Sequence, residues 1–423
     1  MLTPFSKKNF IWNSLGAGFN AFHSPLFLMI VSRVMGIRDA GFFSLAFMTG
    51  VLLSNIGLFN VRSYQITDIN RDHSDAVYLN ARIVTAALMA ASAFLYSLTK
   101  ASDSRYFALV LLLCLWRVPE VLSDVIHGSL QMRGRLDLAG KSQLLRAVLC
   151  IAAFAGAVYV TRDLVLACML LVCVNSLVFV LYDLHSYRMV CPGYRFFLNR
   201  EVADLLRSCF PLFLMSLLYA YLINAPRYSI DLFGTPENQT VFSIIVLPAS
   251  MIWVVFIMVL NPILPKLAKM HFAGKRTGFN RLIRNLIVSI AGFSILYLAF
   301  MYMFGIRIFE IVYKVPLMSY RAAFMLAGIG SGILCIATVF SNLLILIREK
   351  RILLFSYIGV AMLSTGTSIY FVIQRGLFGA TLSYLITMAL LMLALTTGYI
   401  YADTCKNRIQ GPDFADEPRS GRE

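Results

Sequence analysis

Charge is scarce in this chain. Only 14% of its 423 residues are Asp, Glu, Lys or Arg, where soluble domains carry about a quarter, and no hydrophilic stretch is long enough to fold as a soluble domain. Histidine is equally thin, with 5 scattered copies. The eight cysteines (114, 150, 168, 173, 191, 209, 335 and 405) lie mostly in apolar stretches and form no CxxC pair. They read as small hydrophobes, which excludes a Cys/His metal site and a disulfide framework. There is no GxSxG, no HExxH and no isolated pair of carboxylates outside apolar segments. GRLDLAGKS (134–142) looks like a phosphate-binding loop, but five residues instead of four separate its glycines and no strand precedes it. A built-in ATPase is excluded on these grounds; no enzyme and no cofactor are expected.

What is present is apolar surface. The chain is 59% hydrophobic with a mean hydropathy of +0.76, the composition of an all-α polytopic membrane protein. Twelve segments of about 20 residues can span a bilayer: 11–32, 41–60, 82–100, 106–127, 143–160, 164–186, 210–230, 241–262, 284–304, 321–347, 353–373 and 378–401. The first follows Lys7 and Lys8 without a small-residue cleavage site, so it reads as a retained helix.

The net charge of +16 follows from this topology. The basic residues are spread among the apolar segments rather than gathered in one patch, so nucleic acid is not an expected partner; the lipid bilayer is. With the N-terminus inside, the inner joints hold 26 of the 37 Lys and Arg and the outer ones 10, which assigns both termini to the cytoplasm. The joint 187–209 divides the chain into a first lobe of six helices (1–186) and a second (210–401), with a tail (402–423) expected to be disordered. Its mix of Arg, Phe and Leu suggests an amphipathic helix on the inner leaflet. The stretches SRVMGIRDAGFFSLAFM (32–48) and PRYSIDLFGTPENQTVFSIIVLP (226–248) echo each other, as two parallel six-helix repeats would.

Two segments carry charge at membrane depth. In the fourth, Arg117, Glu120 and Asp124 fall within about 60° of one another on a helix, beside Pro119. Ionisable groups there cost about 2.5–3.5 kcal/mol each, so they should face protein or a water-filled cavity. They would line a pathway, or form a self-neutralising pair. A poorly paired Glu120 or Asp124 would be a candidate for ion coupling. In the seventh, LINAPRYSID places Asn224, Arg227 and Asp231 on one face around Pro226. Arg227 would clamp a phosphate, or pair with Asp231 at the outer rim. His23 would line the pathway or pack in the core. Arg33, Arg62 and Arg82, at segment ends, read as topology signals.

The stretches 13–48, 57–69 (GLFNVRSYQITDI), 127–146 (HGSLQMRGRLDLAGKSQLLR) and 222–234 (LINAPRYSIDLFG), in this order, resemble the Wzx-type polysaccharide and O-antigen flippases. These belong to the multidrug/oligosaccharidyl-lipid/polysaccharide exporter superfamily. The resemblance implies a MATE-like, V-shaped pair of six-helix lobes around a cationic cavity. It also implies alternating-access export of an undecaprenyl-diphosphate-linked glycan across the bacterial inner membrane, for lipopolysaccharide or other surface polysaccharide, beside polysaccharide polymerase machinery. Arg117 and Arg227 fall where cavity charges would be expected. A cation-coupled multidrug exporter of the same fold is the alternative. A membrane polymerase or glycosyltransferase fits less well, because every outer joint is short.

Overall fold

The computed structural model describes residues 7–68, 72–190, 197 and 199–409, and it contains helices and no strand among them. In the first half these are α1 (Lys7–Ala21 and His23–Val34, bent at Phe22), α2 (Ile37–Leu58), α3 (Asp75–Leu98), α4 (Ser104–Met132) and α5 (Leu136–Thr161). Then α6 runs from Leu164–Val178 through a π-turn at Phe179–Asp183 into Leu184–Val190. The second half has α7 (Arg200–Phe233), α8 (Pro236–Phe272), α9 (Arg276–Phe300, continuing through Met301–Gly305 into Ile306–Tyr313) and α10 (Arg321–Leu346). The run Lys350–Ile409 divides at Gly376 into α11 and α12.

Short polar side chains set the helix starts. Asp103 Oδ1 accepts from the backbone N–H of Arg105 and Tyr106 at the head of α4, and Asp163 Oδ1 from Val165 and Leu166 at the head of α6. Asn199 and Thr235 do the same for α7 and α8, with Pro236 at the first position of α8. Gly376 ends α11 at φ 55°, ψ −128°, a conformation open to glycine and not to residues with a Cβ. The Ser364 and Thr387 hydroxyls then meet at 2.9 Å across the hairpin.

Ten stretches are long and apolar enough to cross a membrane; the last of these, Lys350–Thr404, folds back at Gly376 and crosses twice. With α4, whose 29 residues reach about 44 Å, the chain makes twelve crossings of a multi-pass membrane protein. Its surface inverts that of a soluble protein. Leu95, Leu296 and Phe355 are exposed on the outside of the bundle, whereas Asn80, Arg82, Asn175 and Asp183 are sealed inside.

Helices α1–α6 pack on one another, as do α7–α12. The two lobes meet where α2 and α3 lie along α7, where α2 meets α8, and where α9 touches α1. At the start of α2 this approach is close: a Cβ on Gly41 would sit 1.9 Å from the Pro236 carbonyl oxygen. The inter-lobe joint differs from expectation at its C-terminal end. Residues 200–209 are the opening turns of α7 rather than a separate surface helix, because Asn199 caps one continuous run. Helix α12 also extends through Ile409, beyond the start expected for the tail; 410–423 lie outside the described residues.

Candidate functional site

The charged face of α4 splits into two arrangements. Arg117 Nη1 donates to Glu120 Oε2 at 2.7 Å, and its guanidinium stands 4.5 Å from the Trp116 ring centre and 4.9 Å from that of Phe47. Asp124, one turn further, takes two arginines from neighbouring elements. Arg62 Nη1 reaches its Oδ1 at 3.0 Å and Arg82 Nη2 its Oδ2 at 2.8 Å. Arg62 also donates to Gln131 Oε1, and Arg82 to the Gly57 carbonyl at the end of α2. Two guanidinium groups on one carboxylate leave a net positive charge here, while the Arg117–Glu120 pair is neutral.

Behind this face lies a second buried cluster. Arg146 of α5 donates to Asp183 Oδ2 at 2.6 Å, and His127 Nε2 stands 3.2 Å from Oδ1. The Ser123 hydroxyl lies 2.7 Å from the same carboxylate. Asp183 occupies the π-turn of α6, which adds a residue to the helical turn and swings the carboxylate toward α4 and α5.

Arg227 of α7 is 2% exposed, and its described partners are the Ser243 hydroxyl and the Phe242 ring, with no carboxylate among them. Its Nε makes no hydrogen bond. Asp231, expected beside it, points instead to the other lobe. It pairs with Lys100 and accepts from the Tyr106 hydroxyl at 3.3 Å. The rim pairing Arg227–Asp231 is therefore absent, and Arg227 is a buried cation without a counter-ion among the described residues.

Three neighbouring hollows share lining residues, the first two walled by the first lobe alone and the third mostly by the second. One of about 200 Å³ is walled by Arg117, Glu120, Asp124, His127, Arg146, Asn20 and Gln143. A second, of about 340 Å³, shares Leu58 and Asp124 with it and adds Arg62 and Gln131. The third, about 290 Å³, joins at Asn60 and runs into the second lobe. All three lie toward the face that the Lys/Arg count assigns to the cytoplasm. A larger hollow of about 730 Å³ sits within the second lobe beside His271, Arg276 and Arg348, away from the seam.

At the opposite face the lobes are closed. Besides Lys100–Asp231, Arg33 donates to the carbonyls of Val312 and Ile311 at the end of α9 (2.6 and 2.9 Å). Tyr313 donates to the Pro25 carbonyl at 3.1 Å, and Thr240 to that of Ile37. Carbonyls at a helix C-terminus carry partial negative charge, so Arg33 satisfies orphan acceptors and the helix dipole together. These contacts hold the two lobes together at that face.

Some expected residues stand elsewhere. His23 is packed away from the hollows: it stacks on Phe27, meets Trp116 edge-on, and its Nε2 lies 3.4 Å from the Ala147 carbonyl. Asn224 returns its amide to the Ala220 carbonyl. Arg82 is a fully buried structural cation rather than a topology signal, as is Arg146, counted among the inner joints. Discounting both leaves 24 inner against 10 outer basic residues. Arg146, His127, Asp183 and Lys100 were missed as site residues. For Asp183 the signal was available, since it is a lone carboxylate in the apolar run 164–186.

No family model and no curated protein matches the chain. Among solved structures, an inward-facing multidrug resistance MATE family transporter of the MOP superfamily superposes with a TM-score of 0.71 at 14% identity, covering 95% of this chain and 99% of that one. The fold is that of the MOP-superfamily transporters. The lipid II flippase MurJ, in an inward closed conformation, gives 0.67 at 13% identity over 93% of this chain and 90% of MurJ. An outward-facing MATE transporter of the same superfamily gives only 0.53 at 16% identity, over 95% and 93%.

Proposed function

We propose that this protein is a flippase that carries an undecaprenyl-diphosphate-linked oligosaccharide across the bacterial cytoplasmic membrane by alternating access, for surface polysaccharide assembly. The observation that supports it most is the surplus of fixed positive charge held at membrane depth, with Arg62 of that surplus lining a hollow. Arg62 and Arg82 share one carboxylate, and Arg227 has none. A diphosphate entering hydrocarbon without compensation is prohibitively costly, and a hydrated, cationic groove replaces the water it loses. Arginine suits this task, because its planar fork offers paired donors to phosphate oxygens.

In the inward-open form the headgroup enters beside Arg117 and Arg62 while the lipid tail stays in the bilayer. Closing the inner side and opening the seam at Lys100–Asp231 would hand it to Arg227. Direction comes from an ion gradient, the membrane potential or consumption of the glycan by polymerase machinery outside. Of the two carboxylates considered for ion coupling, Asp124 is committed to two arginines, whereas Glu120 keeps one oxygen without a partner and is the better candidate.

The multidrug-exporter reading rests on the shared fold with the MATE transporters. A cationic drug would need an uncommitted acid in the cavity, and the two acids lining the three neighbouring hollows, Glu120 and Asp124, each face an arginine. The test is a deletion strain complemented with Arg117→Ala, Arg227→Ala and the matching lysine variants. Lipid-linked glycan should accumulate on the inner leaflet with both alanine variants at normal protein levels, and lysine should rescue only in part. Normal surface polysaccharide from both alanine variants would refute the reading. Unchanged glycan with raised drug sensitivity in the deletion strain would move it to the exporter.

A further inference from the structure

The hollow that continues from Asn60 into the second lobe has a different chemistry from the arginine-lined part. Its wall is half aliphatic, with Leu212, Met215 and Leu391 among its residues, and carries Tyr219, Trp253 and Tyr357 with the small polar side chains of Ser341 and Asn342, and no Asp, Glu, Lys, Arg or His among the residues described. Tyr219 and Tyr357 present their rings at 61° to one another, 6.2 Å between centres. The Tyr357 hydroxyl is fixed 3.1 Å from that of Ser341. Asn342 donates its amide to the Thr338 carbonyl, which orients its Oδ1 as a free acceptor. Trp253 Nε1 is buried and has no hydrogen-bond partner.

A buried donor left without an acceptor costs about 1–3 kcal/mol, and nothing within the lobe repays it. A pyranose ring matches this wall. Its C–H faces lie on aromatic rings, and its hydroxyls both accept from an N–H and donate to an amide oxygen. At about 290 Å³ the space is at the small end of ligand pockets, so it holds roughly one or two rings and not a long chain. A polyprenyl tail would leave the Asn342 amide oxygen without a donor. A carboxylate or phosphate here would lack a cation. The neighbouring Asn60 links this wall to Arg62, so a phosphate held by the arginine places the first sugars against the tyrosines.

We infer that this wall is a subsite for the uncharged sugars next to the diphosphate, which makes the carried glycan one whose first one or two residues are neutral rather than uronic acids. The inference rests on the flippase reading above and adds the division of the headgroup between the lobes: phosphates on the arginines of the first, neutral sugar on the aromatic wall of the second.

The test uses the full chain in lipid nanodiscs and three probes: undecaprenyl diphosphate, the same lipid bearing one N-acetylhexosamine, and the same lipid bearing one hexuronate. The neutral sugar should tighten binding about tenfold over the bare diphosphate, and the hexuronate should not. In Trp253→Phe and Asn342→Leu, checked for an unshifted melting midpoint, the ratio of affinities for the sugar-bearing and bare lipids should fall toward one. An equal gain from the hexuronate, no gain from the neutral sugar, or a ratio unaltered in both variants overturns the subsite while the flippase reading survives. Failure of the bare diphosphate to bind, or binding that Arg62→Ala does not weaken, refutes the flippase reading and this subsite with it.

Discussion

Asp124 is the position where a single atom replacement tests the electrostatics of the first lobe. Asp124→Asn keeps the shape and removes the charge that two arginines share. Arg62 is partly exposed, with 27% of its side chain open, so losing its pair costs about 1 kcal/mol or less. Arg82 has 0% exposure, and only neutral acceptors remain to it, the Gly57 carbonyl and the asparagine's own oxygen. Breaking a buried pair from one side costs about 3–5 kcal/mol, because the surviving charge is left in a low dielectric. For a lobe of this size each kcal/mol moves the melting midpoint by about 2–4 °C, so Asp124→Asn should melt on the order of 10 °C lower in detergent. The double variant Arg82→Met with Asp124→Leu replaces the pair with apolar groups and should recover most of that loss. It should not recover transport, since the wall beside Arg62 has changed. A midpoint within about one degree of the parent for Asp124→Asn would refute the argument.

Other predictions concern the closed seam and the hairpin. Asp231→Ala removes the bridge to Lys100; if that pair is worth about 1.4 kcal/mol, the outward-open population rises about tenfold, read as faster labelling of Ser243→Cys by an impermeant maleimide added outside. Unchanged labelling would show that the bridge does not hold the seam. Gly41→Val sets side-chain atoms where the Pro236 carbonyl lies, so it should block closure and label Ser243→Cys faster than Asp231→Ala does. Gly376→Ala strains a backbone that only glycine adopts freely and should lower the melting midpoint by several degrees, with equal effect on apo and lipid-bound protein. A lipid-dependent effect would make the hairpin part of the transport cycle.

Much of this architecture is written locally. Hydropathy is a sum over neighbours in sequence, so the twelve spans emerge from about 20 residues at a time, and Gly376 marks the last turn within its own dipeptide neighbourhood. Charge at depth is equally local: Arg117, Glu120, Asp124 and Arg227 stand out because the residues around them are apolar. Their partners are not local. Asp124 meets Arg62 and Arg82 across 62 and 42 residues, and Asp231 meets Lys100 across 131. A helical register can say that Arg227 and Asp231 share a face; it cannot say that the face of α7 is divided between a buried serine and the opposite lobe. Arg82 and Arg146 read as ends of spans because nothing nearby shows that α2, α4 and α6 enclose them. The sequence alone determined a twelve-span chain with cations at membrane depth. Which of those cations are neutralised, which side is sealed and where a neutral wall meets a charged one were decided only by packing, because ion pairing and cavity shape depend on contacts between helices far apart in the chain.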